Sequence, residues 1–110
     1  MPGPPPPQHS LDQLLVLEAI DREGSFAGAA RALHRVPSAV TYTVKALEAA
    51  LGVPLFDRSG GRARLTAQGL RVLEAGRDVL AHARRLDRLA DTLREGWEPA
   101  LSVVVDGVYP

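Results

Sequence analysis

The chain has 110 residues, with 13 basic and 13 acidic side chains, enough for one compact domain with a protruding element and no second core. Balanced charge supplies no overall positive field, so a case for nucleic-acid binding must rest on where the cations sit. There is no cysteine, and His9, His34 and His82 are scattered without ligand-like spacing; a disulfide framework and a thiolate zinc site are excluded, and no metal or other cofactor is expected.

No apolar run reaches the length of a membrane span, and the first residues lack the basic-then-apolar order of a secretory signal. A cytoplasmic protein is expected. Residues 1–9 are proline-rich and apolar-poor, an extended tail. From Ser10, a candidate N-cap, Leu11, Leu14, Leu15, Leu17, Glu18 and Ile20 follow the spacing of an amphipathic helix that Gly24 stops. Ser25 caps a second, short helix ending near Leu33, with Phe26, Ala29, Ala30 and Leu33 on one face and alanines small enough to admit a neighbouring helix.

His34, Arg35 and Val36 make a tight connection, and Pro37 suits the first position of a third helix, where its missing N–H is no loss. Val40, Val44, Leu47 and Leu51 form the buried stripe of that helix, and Gly52 ends it. Its other face carries Ser38, Thr41, Tyr42 and Lys45, the last being the only lysine in the chain. LFDR and RARL, separated by Ser59, Gly60 and Gly61, predict a β-hairpin.

Thr66 is a candidate N-cap for a long helix to about Glu95, in which Val72, Val79, Leu86 and Leu93 recur every seven residues. Such a stripe seeks a partner helix, and Gly76, Ala83 and Ala90 beside it would let one come close. Beyond Gly96, Trp97 and Pro99 break the helix, and LSVVV predicts one strand of a further domain.

The expected fold is therefore mainly α: a winged helix-turn-helix over residues 10–66, with the helix-turn-helix at about 26–45, then a dimerisation helix over 67–96 and a hinge and strand over 97–110. Two short helices joined tightly, the second showing small polar and aromatic groups outward, suit insertion of one helix into a major groove. Serine and threonine hydroxyls can bond phosphates or base edges while their carbons touch thymine methyls. Tyr42 can reach a phosphate or a base, Lys45 lies a turn further along toward the backbone, and Arg58, Arg62 and Arg64 cluster at a hairpin able to enter a narrow minor groove.

The segment GSFAGAARALHRVPSAVTYTVKALEAALGVPLFDRSGGRARLTAQG resembles the DNA-binding signature of LysR-type transcriptional regulators, and the similarity runs from about Leu11 through the long helix. The matched features come in order: the small-residue second helix, the pair Leu47 and Glu48, LGVPLFDR and RLTAQG. The resemblance implies base or phosphate contact by Pro37, Ser38, Thr41 and Tyr42, and wing contact by Arg58, Arg62 and Arg64. It further implies a homodimer on double-stranded DNA, joined by antiparallel long helices through Val72, Val79, Ala83, Leu86, Ala90 and Leu93. LSVVVDGVYP resembles the first strand of the family's effector-binding domain, so a small-molecule effector is expected only where that domain is present.

Three positions depart from the family pattern. Many members carry Ser-Gln where this chain has Val36 and Pro37, and Tyr42 stands where arginine is frequent. Glutamine readout of adenine is absent, and contact through methyl groups and DNA shape takes its place. Bland readings compete with these assignments: Tyr42 as a shield for the helix surface, Arg58 as an ion-pair partner of Asp57 or Glu48, and the charges of the long helix as a solvated face. The competing function is a protein-interaction module without DNA readout. An enzyme is not expected, for the chain has no nucleophile–base pair, metal spacing or phosphate loop.

Overall fold

The computed structural model describes residues 3–59 and 62–96. Its elements are α1 (Leu11–Glu23), α2 (Phe26–Ala32), α3 (Pro37–Leu51), β1 (Phe56–Asp57), β2 (Arg64–Leu65) and α4 (Ala67–Glu95). Two compact units divide the chain, residues 1–80 and 81–110. The expected Gly60–Gly61 tip and the strand within residues 97–110 lie outside the described residues.

Local chemistry sets the helix boundaries. The Ser10 hydroxyl accepts from the Gln13 N–H at 3.2 Å while the Gln13 side chain accepts from the Ser10 N–H at 3.0 Å, a reciprocal cap on the first turn of α1. Gly24 ends α1 at φ 80°, a left-handed backbone that glycine adopts without a Cβ penalty. Ser25 caps α2 by accepting the Gly28 N–H at 2.9 Å. In the turn that follows, His34 is the only non-glycine with positive φ among the described residues, at 56°, and the Arg35 N–H reaches back to the Ala30 carbonyl at 2.8 Å. Val36 is extended without a side-chain cap and Pro37 opens α3.

The core of the first unit joins Val16, Leu17 and Ile20 of α1, Ala29 and Ala30 of α2, and Val40, Val44 and Leu47 of α3 to Leu55, Phe56 and Leu73. The buried set of α1 differs from the expected one: Val16 and Ala19 are buried, whereas Leu11 and Leu15 are exposed. The α3 stripe is inward as expected, with Leu51 half-buried at its end.

The hairpin is antiparallel, pairing Phe56 with Leu65 and Asp57 with Arg64. So short a ladder cannot hold itself, and side chains anchor its base. The Glu48 carboxylate accepts the Leu55 N–H at 2.7 Å and the Phe56 N–H at 3.4 Å. The Thr66 hydroxyl donates to the Pro54 carbonyl at 2.7 Å and accepts the Gly69 N–H at 2.8 Å, so it caps α4 while closing the hairpin. A Cβ on Gly69 would stand 2.1 Å from the Leu55 carbonyl oxygen, which is why α4 can cross the hairpin base only with glycine there.

On α4 the buried residues are Gly69, Leu73, Gly76 and Leu80. Gly76 meets the Leu14 side chain, with its virtual Cβ 3.1 Å from Leu14 Cδ2, so its small size serves the approach of α1 within the first unit. Arg77 adds a polar clasp on the same element pair, with its guanidinium 2.8 Å from Asp21 and 3.8 Å from Glu18.

Candidate nucleic-acid interface

One face of the first unit is built by α3, the α2–α3 turn and the hairpin. Because Val40, Val44 and Leu47 point inward, helical geometry turns Ser38, Tyr42 and Lys45, spaced four and three residues apart, to the opposite side. All three are exposed, Tyr42 at 75%. Pro37 is also exposed, and Val36 before it is 63% exposed, an apolar side chain at the helix entrance that was not placed among the candidate site residues. No acidic side chain interrupts the outward ridge; Glu48, on the flank, is held by the hairpin amides.

Thr41 is half-buried on the flank nearest the hairpin. With Phe26, Arg58, Arg62 and Ala63 it lines an open cleft of about 290 Å³ between α3 and the hairpin. Thus Thr41, read in the sequence on the third helix, comes together with Arg58 and Arg62 of the hairpin. Arg64 is exposed on β2 opposite Asp57. Lys45 and Arg62 make no ion pair among the described residues, which leaves two uncompensated cations on this face despite the balanced total.

The ion pair entertained for Arg58 with Asp57 or Glu48 is not what the structure forms. Arg58 lies over the ring of Phe26, its guanidinium carbon 5.3 Å from the centroid, within cation–π range. Phe26 in turn meets Phe56 edge-on at 5.2 Å. Asp57 instead accepts the Ser59 N–H at 2.9 Å and the Ser59 hydroxyl at 2.7 Å. Those bonds, with a smaller contribution from the Arg64 charge, hold its carboxyl below the ordinary aspartate range. The tight turn has its own brace, for the Arg35 guanidinium grips both Asp12 oxygens at 3.0 and 2.6 Å. That grip lowers the Asp12 pKa, first through the hydrogen bonds and then through charge.

Sequence reasoning missed Phe26 as a partner of the wing, because a phenylalanine just inside a helix start looks like core, and it missed the Arg35–Asp12 brace across 23 positions. The residues expected at a dimer seam differ in exposure. Val72 is half-buried against the core of the first unit, a partial role inside the domain that the seven-residue repeat did not foresee. Val79, Leu86 and Leu93 are exposed, and Ala83 and Ala90 are half-buried. Among the described residues no helix is long and apolar enough to cross a membrane, and no group of three or more acidic or histidine side chains could hold a metal.

Residues 11–70 match the profile described as "Bacterial regulatory helix-turn-helix protein, lysR family". The chain is 48% identical over 100 residues to the "Uncharacterized HTH-type transcriptional regulator YeeY" of Escherichia coli strain K12, covering 91% of this chain and 32% of that protein. It is 43% identical over 95 residues to the "HTH-type transcriptional regulator PunR" of the same strain, covering 86% of this chain and 31% of the relative. The chain thus spans about a third of the length of these relatives. Among solved structures, the DNA-binding domain of CbnR in complex with DNA superposes at a TM-score of 0.72 with 35% identity, over 78% of this chain and 99% of the other. Full-length CbnR complexed with its target DNA gives 0.71 and 36%, over 79% of this chain and 30% of that one.

Proposed function

This chain belongs to the LysR family of bacterial regulatory helix-turn-helix proteins, and we propose on that premise that it is the DNA-binding part of a transcription regulator, with residues 10–66 on the duplex and 67–96 linking two copies. The observation that carries the reading is the outward ridge of α3, where Ser38, Tyr42 and Lys45 are exposed beside a hairpin bearing Arg58, Arg62 and Arg64. An α-helix with such a ridge fits a major groove, and the arginines reach the flanking backbone or a narrow minor groove. Pro37, Ser38, Thr41 and Tyr42 meet bases or phosphates, Lys45 a phosphate. The ridge has no Asn, Gln or Arg for bidentate base recognition, so sequence preference comes from methyl contacts, hydroxyls and DNA shape.

The dimer is the second part of the reading. Val79, Leu86 and Leu93 are apolar and solvent-facing in a single chain, with Val72 at the margin and Ala83 and Ala90 small enough for close approach. An antiparallel pair of α4 helices covers them and sets two α3 helices roughly 34 Å apart on one face of the duplex, so an inverted repeat is recognised. The cytoplasm is the compartment this role requires, and a small-molecule effector belongs to it only where an effector-binding domain follows residue 110.

Titration of the chain into duplex DNA at several salt concentrations tests the reading. Affinity is expected to fall with a logarithmic slope of about −0.9 per phosphate neutralised. Arg62→Ala weakens binding and shrinks that slope by about 0.9 per copy. Absence of binding at low salt, or an Arg62→Ala protein indistinguishable from the parent, overturns it.

A further inference from the structure

The α3–hairpin cleft contains an arrangement that the family assignment does not explain. Arg58 follows β1 on the hairpin, yet it reaches no carboxylate among the described residues. Among the described residues its guanidinium lies over the face of Phe26, at 5.3 Å, on a different element. An arginine side chain normally samples many rotamers, and holding it for a ligand costs entropy that a preformed contact removes in advance. A ring face suits this task because it attracts the cation without occupying its N–H donors, whereas a carboxylate would consume them. Phe26 is itself fixed, since its ring packs edge-on against Phe56 at 5.2 Å and it sits directly after the Ser25 cap. The open cleft of about 290 Å³ that both residues line also presents Arg62 and Thr41.

We infer that Phe26 is a positioning residue for DNA binding: its ring holds the Arg58 guanidinium at the mouth of the cleft so that Arg58 and Arg62 together seat one backbone phosphate. The inference rests on the DNA-binding reading and deepens it. Phe26 touches no DNA itself; it acts through Arg58. The Thr41 hydroxyl on the same cleft ties that phosphate to the register of α3, so the hairpin and α3 address one backbone position together.

A double-mutant cycle on the full chain tests this, with affinity measured by fluorescence anisotropy on a duplex recovered by selection from random sequence. Arg58→Ala is expected to lower affinity about tenfold and to reduce the salt slope by about 0.9 per copy. Phe26→Leu, which keeps an apolar side chain but removes the ring, is expected to lower affinity roughly two- to fivefold in the parent, the range of an exposed cation–π contact, and to have no effect once Arg58 is alanine. Phe26→Tyr, which keeps the ring, retains parental affinity. Thermal melts of each variant separate folding from binding, and Phe26→Tyr against Phe26→Leu still decides the matter if the leucine variant melts early. Losses that simply add make Phe26 a packing residue only and overturn the inference, as does an Arg58→Ala protein that binds normally while Arg62→Ala does not. A parent chain that binds no duplex overturns the DNA-binding reading itself.

Discussion

Helices α3 and α4 both carry apolar residues at near-heptad spacing, but they end in opposite conditions. In α3 the stripe of Val40, Val44 and Leu47 is consumed inside its own unit, none being more than 1% exposed, and what remains outward is polar or aromatic. In α4, Leu73 and Leu80 are consumed in the same way, while Val79, Leu86, Leu89 and Leu93 remain exposed. The residue left over on each helix therefore indicates the chemistry of its partner. A hydroxyl, phenol and ammonium ridge gains little from an apolar surface and much from phosphates and base edges. A ridge of leucines gains by leaving water, at about 25 cal/mol per Å² buried.

Substitutions at the inward and outward positions should break this contrast in a defined order. Leu47→Ala removes the most: a fully buried side chain in the common core, with an expected loss of about 2–5 kcal/mol in chemical denaturation. Gly69→Ala comes next, since its Cβ would meet the Leu55 carbonyl and force the hairpin base away from α4; the expected loss is about 1–3 kcal/mol, and a variant as stable as the parent would refute the packing described at that crossing. Leu86→Asp with Leu93→Asp should leave the far-ultraviolet circular dichroism of the first unit unchanged, while sedimentation shows monomer at concentrations where the parent is a dimer. If the double variant sediments like the parent, the apolar ridge of α4 is not the seam.

The smallest effect concerns the wing turn. Asp57 is depressed by the bonds from Ser59, so its contribution to order is present above the unfolded pKa and is lost as pH falls through its lowered folded value. Exchange protection of the Ser59 amide, which donates to Asp57 at 2.9 Å, should hold at neutral pH and disappear in acid below the normal aspartate range. Asp57→Ala should remove the protection at every pH.

How far the sequence foretold these faces depends on the range over which each residue acts. Ser10, Ser25, Gly24, Gly52 and Pro37 mark helix ends through bonds or backbone angles within a few residues, and all were legible. The inward stripe of α3 was legible too, because one helix presents one face to one core. On α1 the same reasoning misplaced part of the buried set: α1 is covered by α2, α3 and α4 residues, so Val16 and Ala19 are buried outside a single narrow stripe. On α4 the heptad reading named Val72 and Val79 for a partner helix and did not name Leu73 and Leu80, which pack inward. A heptad gives a repeat but not the identity of what lies against it. Phe26 beneath Arg58 and Arg35 on Asp12 join residues far apart in the chain, where spacing carries no signal.

Selection of bound sites from a random duplex pool tests the central claim most directly. Two α3 ridges held by paired α4 helices should enrich an inverted repeat, with half-site centres roughly 10–10.5 base pairs or a multiple apart, and Tyr42→Ala should alter the preferred half-site while the thermal melt stays put. A pool that emerges without enrichment, or with enriched sequences lacking symmetric halves, would contradict the account.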